Sequence, residues 1–168
     1  MTSSRPSIAG VLKAAPLFSE LTEPEIEFLA ARTALKSFSP GEMLFSEGEP
    51  CSGLFLIASG HVRIYKSSSS GREHILAVEG PGGSVAELPV FDGGDYPASA
   101  SAADPAELVF ISRQDFRAVC LEHPEVALRV LQVVGARLCI TRYGSIRTDR
   151  NRIVGYTQDK SRFRKMTC

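Results

Sequence analysis

One carboxylate, Glu87, sits in a stretch crowded with glycine and proline: Gly80-Pro81-Gly82-Gly83-Ser84-Val85-Ala86-Glu87-Leu88-Pro89-Val90-Phe91-Asp92-Gly93-Gly94. Glycine reaches backbone angles denied to other residues and lets a ligand or a second backbone come close. Such a stretch can aim several backbone N–H groups at one spot, and clustered N–H groups hold anions. An ionised carboxylate beside them is acceptor-only, so it suits a ligand that carries a hydroxyl. The same residues also fit a plain glycine-rich loop between two strands, with Glu87 in water. Pro89 and Asp92-Gly93-Gly94 read as turns.

Other chemistries find less support. His61, His74 and His123 form no HExxH or similar spacing, and they lack the His-x-His with downstream carboxylate and His of a cupin-type metal site. No nucleophile is paired with a base. Neither a metal centre nor an enzyme is therefore expected. Cys51, Cys120, Cys139 and Cys168 are scattered, with no close pair to make a zinc knuckle or redox motif. Cys120 and Cys139 fall in apolar helical surroundings and are expected as buried thiols.

The totals bound the class of protein. A chain of 168 residues fits one domain with an appendage. Its 43% hydrophobic and 23% charged content is that of a soluble globular protein. No apolar run reaches a membrane span, and the first residues lack a secretory core, so a cytoplasmic location is expected and a membrane is not. The zero net charge hides an asymmetry. Residues 1–140 hold 11 Lys/Arg against 17 Asp/Glu, whereas 141–168 hold 8 against 2. A basic tail can touch nucleic acid or an acidic patch, and charge alone does not choose.

The elements that must position Glu87 are mostly short strands. Residues 11–18 give a short helical lead-in. Thr22 with Glu25 forms a capping box, with Leu21 as staple and Pro24 in the first turn, and opens a helix through Ile26, Leu29 and Ala30. Strands are expected at Leu35–Phe38, Met43–Phe45, Leu54–Ala58, Val62–Lys66, His74–Val78, Ala98–Ala102 and Leu108–Ile111. Ser112 with Asp115 caps a further helix. A long helix follows from Pro124 to Thr141, apolar over more than one stripe, and the surplus face predicts a homodimer through that helix, with a fully buried helix in a monomer as the rival explanation. Residues 142–168 read as a basic, weakly structured tail.

At this point the chain resembles the cyclic nucleotide-binding domain of catabolite-activator-like bacterial transcription regulators. The likeness covers roughly residues 12–143. It rests on Leu17-Phe18, Gly41-Glu42, Gly48, Leu56-Ile57-Ala58-Ser59-Gly60-His61-Val62 and above all Gly82-Gly83-Ser84-Val85-Ala86-Glu87-Leu88. The resemblance implies a mostly β fold, an eight-stranded antiparallel jelly roll with an N-terminal helix and a long C-terminal helix that dimerises. It makes the glycine-rich segment a phosphate-binding cassette, with Gly82, Gly83, Val85, Ala86, Glu87 and Leu88 around the ligand. Glu87 would take the ribose 2′-hydroxyl. Backbone N–H groups near Ala86–Leu88 and Ala98-Ser99 would face the cyclic phosphate, and Thr141 would meet the base. The ligand implied is a cyclic nucleotide or another small anion, with no further cofactor.

Two departures qualify that expectation. The family arginine that pairs with the phosphate falls at Pro97, which offers neither charge nor N–H, and the hydroxyl that follows falls at Ala98, beside Ser99. Removing one member of a buried charged pair costs about 2–5 kcal/mol, so cyclic AMP affinity is expected to be weakened or lost. Only 25 residues follow Tyr143, and they show no three-helix pattern. A DNA-binding domain, and with it sequence-specific DNA binding by this chain alone, is not expected. The functional expectation is a regulatory sensor module. The alternative is a truncated transcription regulator that contacts DNA through the basic tail or a partner.

Overall fold

The computed structural model describes residues 7–18, 21–143, 146–149 and 152–156, with side chains described up to residue 135, residue 133 excepted. The chain divides into two compact units, Met1–Val130 and Leu131–Cys168.

The first unit opens with α1 (Ile8–Ala14) and α2 (Glu23–Ala30). The predicted capping box forms: Glu25 Oε2 accepts from the Thr22 N–H at 2.6 Å and from its hydroxyl at 2.8 Å. Eight strands follow: β1 (Thr33–Phe38), β2 (Met43–Phe45), β3 (Gly53–Ser59), β4 (Val62–Ser67), β5 (Glu73–Glu79), β6 (Ser84–Val85), β7 (Ser99–Ala102) and β8 (Ala106–Ser112). A short helix, α3 (Glu87–Asp92), separates β6 from β7. α4 (Arg113–Glu122) comes next, and Ser112 Oγ accepts the Asp115 N–H at 3.0 Å, as the cap predicts.

The strands form two antiparallel sheets in the orders β1-β8-β3-β6 and β2-β7-β4-β5. This is the expected jelly roll, in which two four-stranded sheets share one core. β3 lies inside its sheet, with α1 and α4 packed on it, which is why Leu54-Phe55-Leu56-Ile57 is apolar without alternation and fully buried. β7 runs between β2 and β4, and its Ser-Ala-Ser-Ala sequence is buried throughout. Small side chains there leave room for the aromatics opposite. Phe55 is the hub, with ring centroids 6.2 Å from Phe38, 6.0 Å from Phe45 and 4.9 Å from Phe110.

The long helix α5 spans Pro124–Tyr143, two residues past the expected end. Within residues 142–168, expected to be weakly structured, β9 (Ile146–Asp149) and β10 (Arg152–Tyr156) pair antiparallel. Cys120 departs from expectation: it is half-buried, and Cys51 is the buried thiol. Burial still pushes the Cys120 thiol up to about 11. Cys139 lies outside the described side chains. Among the described residues, no helix is long and apolar enough to cross a membrane.

Gly53 is set by close approach. A Cβ there would meet the Ile111 carbonyl oxygen at 2.2 Å and the Phe110 ring at 2.7 Å. Both belong to the paired strand β8 and cannot simply swing away. Gly53→Ala is expected to cost about 1–3 kcal/mol, the range for overpacking, read as a lower urea midpoint at unchanged slope.

Candidate functional site

The glycine-rich stretch folds against β3. Gly82 N–H donates to the Ile57 carbonyl at 2.9 Å, Ile57 N–H donates to the Gly83 carbonyl at 3.0 Å, and Gly83 N–H donates to Gly80. These two glycine amides are therefore occupied by backbone pairing and are not turned toward an anion. β6 then pairs with β3 through Val85 and Ser84. Ala86 next takes a left-handed conformation, φ 73° and ψ 30°, a rare setting for a residue with a Cβ. That reversal starts α3 at Glu87. Pro89, expected as a turn residue, sits in the first turn of this helix, where a missing N–H costs no intrahelical bond. Gly93, also left-handed at φ 78°, ends it.

Glu87 is 8% exposed, and its Oε1 accepts the Ser84 hydroxyl at 2.5 Å. The carboxylate points to the protein and not to open water. Beside it is a recess of about 170 Å³. Phe45 from β2, Ile64 from β4 and Pro97-Ala98 at the entry to β7 line it on the sandwich side. Val85, Ala86, Glu87, Leu88 and Pro89 line it on the α3 side. Glu87 is the one ionisable side chain in that lining, and the rest is apolar or backbone.

Tyr96 holds this arrangement in place. Its ring stacks on Phe45 with centroids 3.8 Å apart and planes 13° apart. Its hydroxyl accepts the N–H groups of Ser52 and Gly53 at 3.1 and 3.2 Å and donates to the Gly53 carbonyl at 3.0 Å. Its backbone donates to Glu49 and accepts from Gly48. Burial pushes the phenol above its ordinary value, against the opposing hydrogen bond to Ser52.

Of the residues singled out in the sequence, the structure gathers Val85, Ala86, Glu87, Leu88, Pro97 and Ala98 around one recess. Gly82 and Gly83 are outside its lining, and Ser99 Oγ instead accepts the Glu47 N–H at 3.0 Å. The Thr141 side chain lies outside the described residues. Arg63, one cation within conceivable reach, is committed elsewhere: it donates to Ser101 Oγ at 2.7 Å and to Glu73 at 3.0 Å, and lies over the Tyr65 ring. Sequence reasoning missed Phe45, Ile64 and Tyr96. Phe45 and Ile64 read there as core strand residues, and nothing local marks them otherwise. A larger hollow of about 500 Å³ lies between α1 and Pro81-Gly82. Its lining carries no ionisable side chain, so size alone does not make it the better candidate.

The chain matches the cyclic nucleotide-binding domain family over residues 35–123. It is 32% identical over 127 residues to the cyclic AMP receptor protein of Thermus thermophilus, covering 76% of this chain and 59% of that protein. The chain thus spans less than two thirds of that relative's length. Among solved structures, the N-terminal domain of a transcriptional regulator from Streptomyces coelicolor superposes with a TM-score of 0.67 at 34% identity, covering 78% of this chain and 92% of that one. The sensor domain of the transcriptional regulator DNR from Pseudomonas aeruginosa gives 0.69 at 28% identity, covering 82% and 94%.

Removing the Tyr96 hydroxyl would take the side-chain acceptor from the Ser52 and Gly53 N–H groups, while the Gly53 carbonyl keeps the Cys51 thiol at 3.6 Å. Tyr96→Phe is expected to destabilise by about 1–3 kcal/mol. A raised folded-state value also means that the wild type loses stability as pH rises from about 10 through the folded value. Urea titrations between pH 8 and 11 should show that alkaline decline in the wild type and a shallower one in the variant.

Proposed function

This chain belongs to the cyclic nucleotide-binding domain family, and from that premise we propose that it is a regulatory sensor whose recess binds cyclic AMP weakly or not at all. The observation that carries this reading is the absence of any cation among the residues that line the recess, with Pro97 where the family resemblance puts an arginine. A cyclic phosphate brought there would meet the Glu87 carboxylate and a proline ring. A charge-assisted partner would be missing from a desolvated place, where it matters most. Glu87 and Ser84 retain the means to hold a hydroxyl. The function is therefore ligand sensing through the Glu87 side of the recess, without the anion clamp.

The same reading makes α5 the subunit contact of a homodimer. Leu128 and Leu131 on that helix are 63% and 53% exposed, a large apolar surface for a helix that needs a partner. The basic residues of 141–168 leave DNA contact through the tail as the second reading, and a gel shift that is unchanged in a 1–141 truncation would dispose of it.

Two measurements test these proposals. By calorimetry, Pro97→Arg is expected to bind cyclic AMP at least about thirtyfold more tightly than the wild type, since 2 kcal/mol is the low end for restoring such a pair. Measurable wild-type binding as tight as that of the variant would end the weak-binding reading. In sedimentation, the double change Leu128→Glu and Leu131→Glu is expected to convert a dimer to a monomer. A wild type that is monomeric at every concentration would refute the helix contact.

A further inference from the structure

Away from the recess, three helices bring two carboxylates and an imidazole to one point. Glu25 lies in the first turn of α2, His123 closes α4, and Glu125 lies in the first turn of α5. One ligand-type atom from each lies within 4.8 Å of the other two. His123 Nδ1 is 3.5 Å from Glu25 Oε1 and 3.5 Å from Glu125 Oε1. Both separations exceed the range of about 2.7–3.2 Å for an N–H···O bond. They match the edge of a tetrahedron whose centre makes bonds of about 2.0–2.2 Å to nitrogen and oxygen, an edge of about 3.3–3.6 Å.

We propose that Glu25, His123 and Glu125 bind a divalent transition-metal ion of the Zn²⁺ type, which clips helix α2 to the start of the long helix α5.

Each ligand is held by contacts of its own. Glu25 is 6% exposed, and its Oε2 is used by Thr22, so Oε1 is the atom turned to the cluster. The Thr22 N–H, more than any other group, keeps this carboxyl below its usual range despite burial. The His123 ring stands edge-on to Phe28, with centroids 5.8 Å apart and planes at 69°. Glu125 is half-exposed, which leaves a fourth coordination position open to water. A divalent ion at this point would match the charge of two carboxylates. Imidazole with carboxylate suits Zn²⁺ and its neighbours, while Ca²⁺ and Mg²⁺ prefer oxygen alone. Glu25 and His123 are about a hundred residues apart, so no local spacing announces the set.

The test uses the full chain, stripped with a chelator and titrated with Co²⁺ and Zn²⁺. One equivalent of Co²⁺ is expected to give the visible absorption of a tetrahedral site without a thiolate charge-transfer band, and Zn²⁺ is expected to raise the melting temperature. His123→Phe keeps a ring against Phe28 but removes the ligand nitrogen, and Glu125→Gln keeps the shape but removes the charge. Neither touches the α2 cap. Each is expected to weaken uptake at least about tenfold, with His74→Ala unchanged. Absence of stoichiometric uptake, a thiolate band, or wild-type uptake in both variants would overturn the assignment.

Discussion

The geometry of the recess hangs on one aromatic side chain. Tyr96 stacks on Phe45 through its ring, bonds the Ser52-Gly53 backbone through its hydroxyl, and bridges the Gly48-Glu49 turn through its own backbone. It thereby ties the end of the glycine-rich segment to β2 and to the start of β3. A buried phenol requires hydrogen-bond partners, and backbone groups at a strand entrance require the same. Each supplies what the other lacks, so the segment from Gly93 to Pro97 has little freedom to move away from the sandwich. Pro97 and Ala98 are delivered to the recess wall as a consequence.

With the wall fixed, the electrostatics follow from composition. A carboxylate that is nearly buried needs donors, and Ser84 supplies one at 2.5 Å. The remaining side chains of the lining are aliphatic, aromatic or proline and carry no charge. The glycines that looked like an anion cradle spend their amides on β3 and Gly80. What remains is a small, largely apolar recess with the Glu87 carboxylate at its side.

How much of this the sequence revealed depends on whether the signal was local. The capping box at Thr22, the side-chain cap at Ser112 and the strands β3 and β4 were legible, because their patterns arise within a few residues. The jelly roll came through resemblance, since no local rule tells which strands pair. Glu87 was legible as a site candidate, but its burial was not, because the bend at Ala86 comes from a left-handed alanine where sequence rules look for glycine. Pro89 misled for a related reason: proline signals a turn, yet it is equally at home in a helix's first turn. Phe45 and Ile64 were hidden because core residues and recess-lining residues read alike, and Tyr96 because its partners Ser52 and Gly53 lie more than forty residues away. The Glu25–His123–Glu125 grouping is purely tertiary and could not be seen.

The recess also has a continuous physical connection to the rest of its unit. The helix α3 that carries Glu87 on one side turns Phe91 to α4 on the other, where its ring meets Phe116 edge-on at 5.1 Å. Arg113 at the start of α4 donates to the Gly93 carbonyl that ends α3. Phe116 in turn meets Phe18, after α1, at 6.3 Å. A shift of α3 toward or away from the sandwich must therefore either carry α4 or break close aromatic packing and a guanidinium–carbonyl bond. α4 runs directly into α5 through His123, with no loop to absorb a displacement. The Phe91–Phe116 and Arg113–Gly93 contacts thus join α3 to α4, and α4 to the start of α5, as one packed series.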